Sequence, residues 1–326
     1  MTGSFYDRRT ALALIGAGAV LPTAALAQPT FELVPEAEFG NDEHPADIGA
    51  MEDQGRRMTA PVMVNGKGPF DFIVDTGANR SIISEELAAE LALPPGRLTK
   101  VHGIVGERLV PTVKLERYAI GAREAKNLSM ATLPGRYLGA LGLLGVDGLK
   151  NQRIVFDLPG SRLQIVRSSA PHATQGGAVI RARKRFGQLT VVDTDLDGVR
   201  VAVLIDSGSV STIGNSALRD VVQRNRKAPL LQQVKISGAT GDVTMGDYGA
   251  VPMFRLGSLT IANLRVAYAD LHPFTLWDLT DRPALLMGMD IMRFFEEVSL
   301  DFGRNEVRLR LPKVPYVDPA GISNRT

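Results

Sequence analysis

An internal repeat constrains this chain more than any other feature. The segments VNGKGPFDFIVDTGANRSII, residues 64–83, and LDGVRVAVLIDSGSVSTI, residues 196–213, carry the same signals: a turn, an apolar strand, Asp-Thr-Gly or Asp-Ser-Gly, and a resumed apolar pattern. Asp206 follows Asp75 by 131 positions (206 − 75), with one residue of slack in the turn. Two further pairs keep the same order: HGIVGE (102–107) with SGATGD (237–242), and GLLGVDGL (142–149) with LLMGMDIM (285–292). Each half then ends in a strand pattern, RIVFDLPGSRLQI and EVSLDFGRNEVRL. Three motifs recurring in one order indicate a duplicated folding unit.

From Met58 onward the local signals are those of strands, short β-branched or apolar runs broken by Asn65-Gly66, Pro134-Gly135 and Pro159-Gly160. Helical periodicity is brief; its best case is Ser84 as a cap before residues 85–91. The stretch SSAPHATQGG, 168–177, reads as a linker between an N-terminal lobe, 57–167, and a C-terminal lobe, 178–312, with a tail at 313–326. The expectation is an all-β fold of two pseudo-twofold-related lobes with short helices.

Composition narrows the chemistry. A net charge of +2 gives no electrostatic footprint for nucleic acid, and the local run at 181–185 reads as a solvated strand face. Without cysteine there is no disulfide, thiolate nucleophile or cysteine zinc site. His44, His102, His172 and His272 lack the spacing of metal ligands or of a triad, and no G-x-S-x-G elbow is present. No cofactor and no metal are expected.

A single Asp-Thr-Gly after a strand is an ordinary turn or helix cap. Two copies brought together at a twofold axis set two carboxylates within hydrogen-bonding distance. They then share one proton, so one is a base and the other an acid. Such a pair hydrolyses an amide through an activated water without a covalent intermediate. Gly77 and Gly208 allow close backbone approach, and the Thr76 and Ser207 hydroxyls can bond across the axis.

With DTGA and DSGS in apolar contexts, Gly-rich stretches after them, and the late LLG and LMG followed by Asp two positions on, each half resembles a retropepsin-like aspartic protease. The resemblance covers 57–167 and 178–312 and implies a pepsin/retropepsin-like acid protease fold, with Asp75 and Asp206 as the catalytic dyad. It further implies that Thr76, Gly77, Ala78, Ser207, Gly208 and Ser209 form the supporting loops. Gly103, Ile104, Val105 and Gly106 in one half, and Gly238, Ala239, Thr240 and Gly241 in the other, would be flap tips over the substrate. Gly145 and Gly288 would mark the strands supporting each loop.

Both copies lie in one chain, so a monomer acting as an intramolecular pseudo-dimer is expected. The lobes are shorter than in pepsins and lack the pepsin flap Tyr. The insertion DLHPFTLWDLTDRP, 270–283, has no counterpart of equal length, and its Trp277 reads equally as a pocket wall or as core. Ser209, where the first lobe has Ala78, is expected to donate to an ionised Asp206 and keep the charge there. The expected partner is an extended protein or peptide segment with apolar residues around the cleaved bond.

Arg8-Arg9 before the apolar run 11–21 and Ala25-Leu26-Ala27 read as a signal peptide over 1–27, of twin-arginine or general secretory type, with an uncleaved anchor as the other reading. Residues 28–56 read as a leader outside the core, flexible or propeptide-like. The resulting expectation is an exported, periplasmic or secreted, aspartic endopeptidase. The alternatives are an inactive peptide-binding protein on the same fold, and an exported β-protein whose repeats are purely structural.

Overall fold

The computed structural model describes residues 46–312 apart from 50, 54–56, 148, 150, 173–176, 186–187, 192–193 and 227–231. The expected signal peptide, the linker residues 173–176 and the tail after 312 lie outside the described residues.

In the first lobe the hairpin Met58–Val64 and Lys67–Val74 turns at Asn65-Gly66, whose φ values of 49° and 77° suit the left-handed pair of a two-residue hairpin loop. Asp197-Gly198, at 53° and 85°, makes the same turn in the second lobe. Lys67–Val74 runs parallel to Gly142–Leu144, which pairs antiparallel with Ile82–Ser84, which in turn runs parallel to Arg123–Leu133. Thr112–Ile120 pairs with Arg123–Leu133 and returns to Met58–Val64, closing the sheet into a barrel-like lobe.

The second lobe repeats this pattern. Ala202–Ile205 is parallel to Ala284–Met287, which is antiparallel to Ile213–Gly214, which is parallel to Leu259–Tyr268. This crossed arrangement buries the strand before each aspartate on both faces. Phe72 and Val74 enter the main core and Ile73 enters a smaller cluster with Leu133, Leu138 and Leu143. Val203 and Ile205 likewise face the main core, while Leu204 joins Leu271, Phe274 and Trp277. Each such side chain contributes about 1.5–3 kcal/mol by burial, so the end of the strand is held rigidly.

The lobes are joined by one antiparallel sheet in the order Ala46–Gly49, Arg162–Arg167, Gln152–Asp157, Glu297–Asp301, Glu306–Arg310, Ala178–Arg185. Its central pairing, Val155 opposite Ser299, links equivalent strands of the two halves. Ile154, Phe156, Val298 and Leu300 alternate inward in the strand period.

One expectation is corrected here. Residues 46–49 and 51–52, assigned to a leader outside the core, pair with Arg162–Arg167 and with Met58–Val64 respectively. An edge place in a sheet needs backbone hydrogen bonds rather than an apolar period, and composition carries no trace of that.

Candidate active site

Each Asp-Thr/Ser-Gly loop emerges from its buried strand and is pinned by the neighbouring parallel strand. Asp75 N donates to Leu144 O at 2.9 Å and Val146 N to Ala78 O at 2.9 Å. In the second lobe Asp206 N donates to Met287 O at 3.0 Å and Met289 N to Ser209 O at 2.8 Å. Gly145 and Gly288 lie directly against the backbones at Arg80 and Ser211.

Behind each loop is a brace whose acceptor is the Asp two positions after the late LLG or LMG, and whose donor, Ser81 or Thr212, the sequence motifs did not reveal. Asp147 Oδ1 accepts from Ser81 N (3.0 Å) and Ser81 Oγ (2.7 Å), and Asp290 accepts from Thr212 N (2.9 Å) and Thr212 Oγ1 (2.6 Å). The same hydroxyls receive Gly145 N and Gly288 N, each at 3.1 Å. Burial raises the pKa of both Asp147 and Asp290. A signal was available: Ser81 and Thr212 both stand six positions after the loop aspartates (81 − 75 and 212 − 206).

Across the axis the loops clasp each other. Thr76 Oγ1 donates to Ile205 O at 2.9 Å and accepts from Ser207 N at 3.0 Å; Ser207 Oγ donates to Val74 O at 2.7 Å and accepts from Thr76 N at 3.1 Å. All four bonds are buried, so neither loop can shift without breaking the other's pairing.

That clasp brings Asp75 and Asp206 together. Their carboxyl groups hydrogen-bond to each other. Asp75 Oδ1 accepts from Gly77 N and Ala78 N, each at 2.9 Å, and Asp206 Oδ1 from Gly208 N at 2.9 Å and Ser209 N at 3.2 Å. Only glycine fits beside them. A Cβ on Gly77 would lie 2.5 Å from Asp206 Cγ, and one on Gly208 closer still to Asp75 Cγ.

Burial raises the pKa of both carboxyls. On Asp206 the nearby Asp75 adds to burial and pushes it well above the ordinary range; on Asp75 the bonds from Asp206, Gly77 and Ala78 and the charge of Arg57 oppose it. Two carboxyls this close and this buried hold one proton between them.

The donation expected from the Ser209 hydroxyl is not made. Its Oγ donates to Ser211 O at 2.8 Å, satisfied within its own turn, and only its backbone N–H serves the carboxylate.

The residues named as flap tips stand at the ends of two hairpins, Thr99–His102 with Glu107–Val110 and Gln232–Ser237 with Val243–Leu256. The two tips meet. Gly103 lies against the Thr240 side chain and Gly238 against Ile104. Each then docks on the opposite lobe: Ile104 packs on the cluster of Leu271 and Phe274, and Ala239 on that of Ile73 and Leu138. His272 N donates to Ile104 O at 2.8 Å, Arg108 pairs with Asp242 at 3.0 Å, and the rings of His102 and His272 stack with Nδ1 and Nε2 3.0 Å apart. Val105 remains exposed at the outer turn.

Trp277 proves to be core. It is 8% exposed within the Leu271 cluster, and its Nε1 donates to Gln188 Oε1 at 2.9 Å.

Two duplicated, strand-built lobes whose matching Asp loops clasp at an axis define a bilobal acid-protease architecture. A family model described as "gag-polyprotein putative aspartyl protease" matches residues 60–151, and one described as "Aspartyl protease" matches 192–291. The chain belongs to the retropepsin-like aspartyl proteases, with two copies of the unit in tandem. A search among curated proteins finds no match.

Proposed function

We propose that this protein is an exported aspartic endopeptidase in which Asp75 and Asp206 activate the attacking water. What carries the reading is the mutual seating of the two carboxyls, each over the other lobe's loop glycine and each bonded by its own loop N–H groups. Asp75, the ionised member, takes a proton from water as that water attacks the scissile carbonyl. Asp206 donates its proton to the carbonyl oxygen, and the roles reverse as the tetrahedral diol collapses to release the amine.

The hairpins at 102–107 and 237–242 act as flaps that must part for an extended peptide to enter. Its backbone then pairs with flap and loop edges while alternate side chains enter the apolar clusters beneath. Export rests on the twin arginine, the short apolar run and the Ala-Leu-Ala site, and with both copies in one chain the enzyme works as a monomer.

The test is cleavage of a mixed peptide library by the mature protein from acidic to neutral pH, beside Asp75→Asn and Asp206→Asn. Each substitution is expected to lower kcat by about 10³-fold or more. Undiminished cleavage in either variant would remove that carboxyl from the mechanism. Peptide binding without cleavage by the native protein would make it a binding module instead.

A further inference from the structure

Arg57 stands 18 positions before Asp75, and Gln188 stands 18 positions before Asp206 (75 − 57 and 206 − 188). The structure turns the equal offset into equal places. Arg57 Nη1 donates to Gly208 O at 3.4 Å, and Gln188 Nε2 donates to Gly77 O. Each side chain crosses to the loop of the opposite lobe and caps the carbonyl of that loop's glycine.

Each is also held from behind. Arg57 forms a two-point pair with Asp53, Nε and Nη2 both reaching Oδ2 at 2.8 and 2.7 Å, and its Nη2 donates to Leu138 O at 3.2 Å. Gln188 is held by the Trp277 indole. Gly208 packs directly on the Asp75 carboxyl and Gly77 on that of Asp206. Arg57 therefore stands beside Asp75, and the neutral Gln188 occupies the matching place beside Asp206.

We propose that Arg57 and Gln188 are the symmetry-breaking pair of this site: the guanidinium, a positioning residue, keeps the charge of the dyad on Asp75, and the neutral amide leaves the proton with Asp206. This rests on the catalytic reading above. The backbone surroundings of the two carboxyls are nearly superposable, with loop N–H bonds of 2.9 and 2.9 Å on one side and 2.9 and 3.2 Å on the other. In such a pair one fixed cation on one side decides which member ionises.

Asp53 weakens the field of Arg57 but also locks the guanidinium in place. The other charged groups packed around the loops are Asp147 with Arg80 behind the first, Asp290 behind the second, and the flap-tip groups Lys100, His102, Glu107, Arg108, Asp242 and His272. Asp147 and Asp290 occupy matching places about the pseudo-twofold axis, and a guanidinium, that of Arg80, accompanies Asp147 alone. Arg80 acts on Asp147. The tip groups are tied to one another.

The experiment is a carboxyl-carbon NMR titration of full-length protein labelled at aspartate, with the two signals assigned by Asp75→Asn and Asp206→Asn. In the native protein Asp75 is expected to ionise first. Arg57→Lys keeps that order, Arg57→Gln abolishes it, and the exchange Arg57→Gln with Gln188→Arg makes Asp206 ionise first. In kinetics, Arg57→Gln moves the acid limb of kcat/KM upward, a loss of about three- to tenfold on the acid side of the optimum, and Arg57→Lys restores it.

Asp75 still ionising first after both Arg57→Gln and the exchange would overturn the proposal. Should Arg57→Gln not fold, Gln188→Arg on the native background decides: ionisation of Asp206 must move toward that of Asp75, and an unmoved Asp206 is equally fatal. Because the titration needs no turnover, failure of the catalytic reading would appear in the cleavage assay and leave the charge assignment separately decided.

Discussion

The two lobes agree in backbone and differ in what stands around it. Their loops share the main-chain bonds that fix Asp75 and Asp206 to the neighbouring strand and the side-chain braces Ser81–Asp147 and Thr212–Asp290. Their supporting side chains diverge. Ser84 caps the helix Glu85–Glu90 through Leu87 N at 3.1 Å, whereas Asn215 caps Ser216–Arg226 and also bonds Leu279 O, Arg282 O and Ala284 N, tying the helix to the 279–282 loop and the strand that follows it. At the axis the two copies hold matching geometry, and away from it each copy is supported by its own side-chain bonds.

The sharpest way to break that comparison is at the caps. Asn215 is fully buried; its Nδ2 donates to Leu279 O (2.8 Å) and Arg282 O (2.7 Å), and its Oδ1 accepts from Leu218 N (2.9 Å) and Ala284 N (3.0 Å). Asn215→Ala strands several buried backbone groups at once and is expected to cost about 3–4 kcal/mol in urea unfolding. The clasp comes next. Thr76→Val and Ser207→Ala each leave one buried N–H and one carbonyl unpaired, about 2–3 kcal/mol apiece, and the double variant loses less than the sum because one network is involved. Thr76→Ser and Ser207→Thr, which exchange the hydroxyl types, should keep the clasp; a large loss in either would show that the symmetry is only apparent. Ser84→Ala removes a single cap bond and should cost about 1 kcal/mol, well below its counterpart in the second lobe.

The smallest effect concerns the flap tips. The first tip is held to the second lobe by the His102–His272 stack, and the two tips are joined by Arg108–Asp242. Burial, then the neighbouring His272, lowers the pKa of His102 from 6.5, with Glu107 pulling the other way. A histidine depressed in the folded state binds fewer protons there than when unfolded. The stack therefore contributes fully above about pH 6.5 and loses its contribution as pH falls through the depressed value. Amide protection factors at 102–107, taken relative to the intrinsic exchange rate at each pH, should fall on acidification, and His102→Gln should flatten that dependence. The Arg108–Asp242 contact is expected to respond to salt instead.

Some of this architecture is legible without coordinates. The repeat, the turns at Asn65-Gly66 and Asp197-Gly198, the helix after Ser84, and the pairing of the two Asp loops and the two hairpin tips all follow from periods and motifs short enough to be read locally. Arg57 and Gln188 are equally spaced from their aspartates, yet they escape such reading because their types differ and their partners, Gly208 and Gly77, belong to the other half. Ser209 misled for the opposite reason: its type suited the role, but its hydroxyl found a nearer acceptor in Ser211 O.

The sequence by itself determined that two copies of one unit are present and where their carboxylates stand, because strand periodicity and turn chemistry are properties of neighbours along the chain. Only the tertiary structure decided that residues 46–49 complete the shared sheet, that Trp277 is core, and which carboxyl lies beside a cation. Those outcomes depend on which distant groups are brought within a few ångströms and shielded from water, and the strength of a charge or a hydrogen bond is set there rather than by sequence spacing.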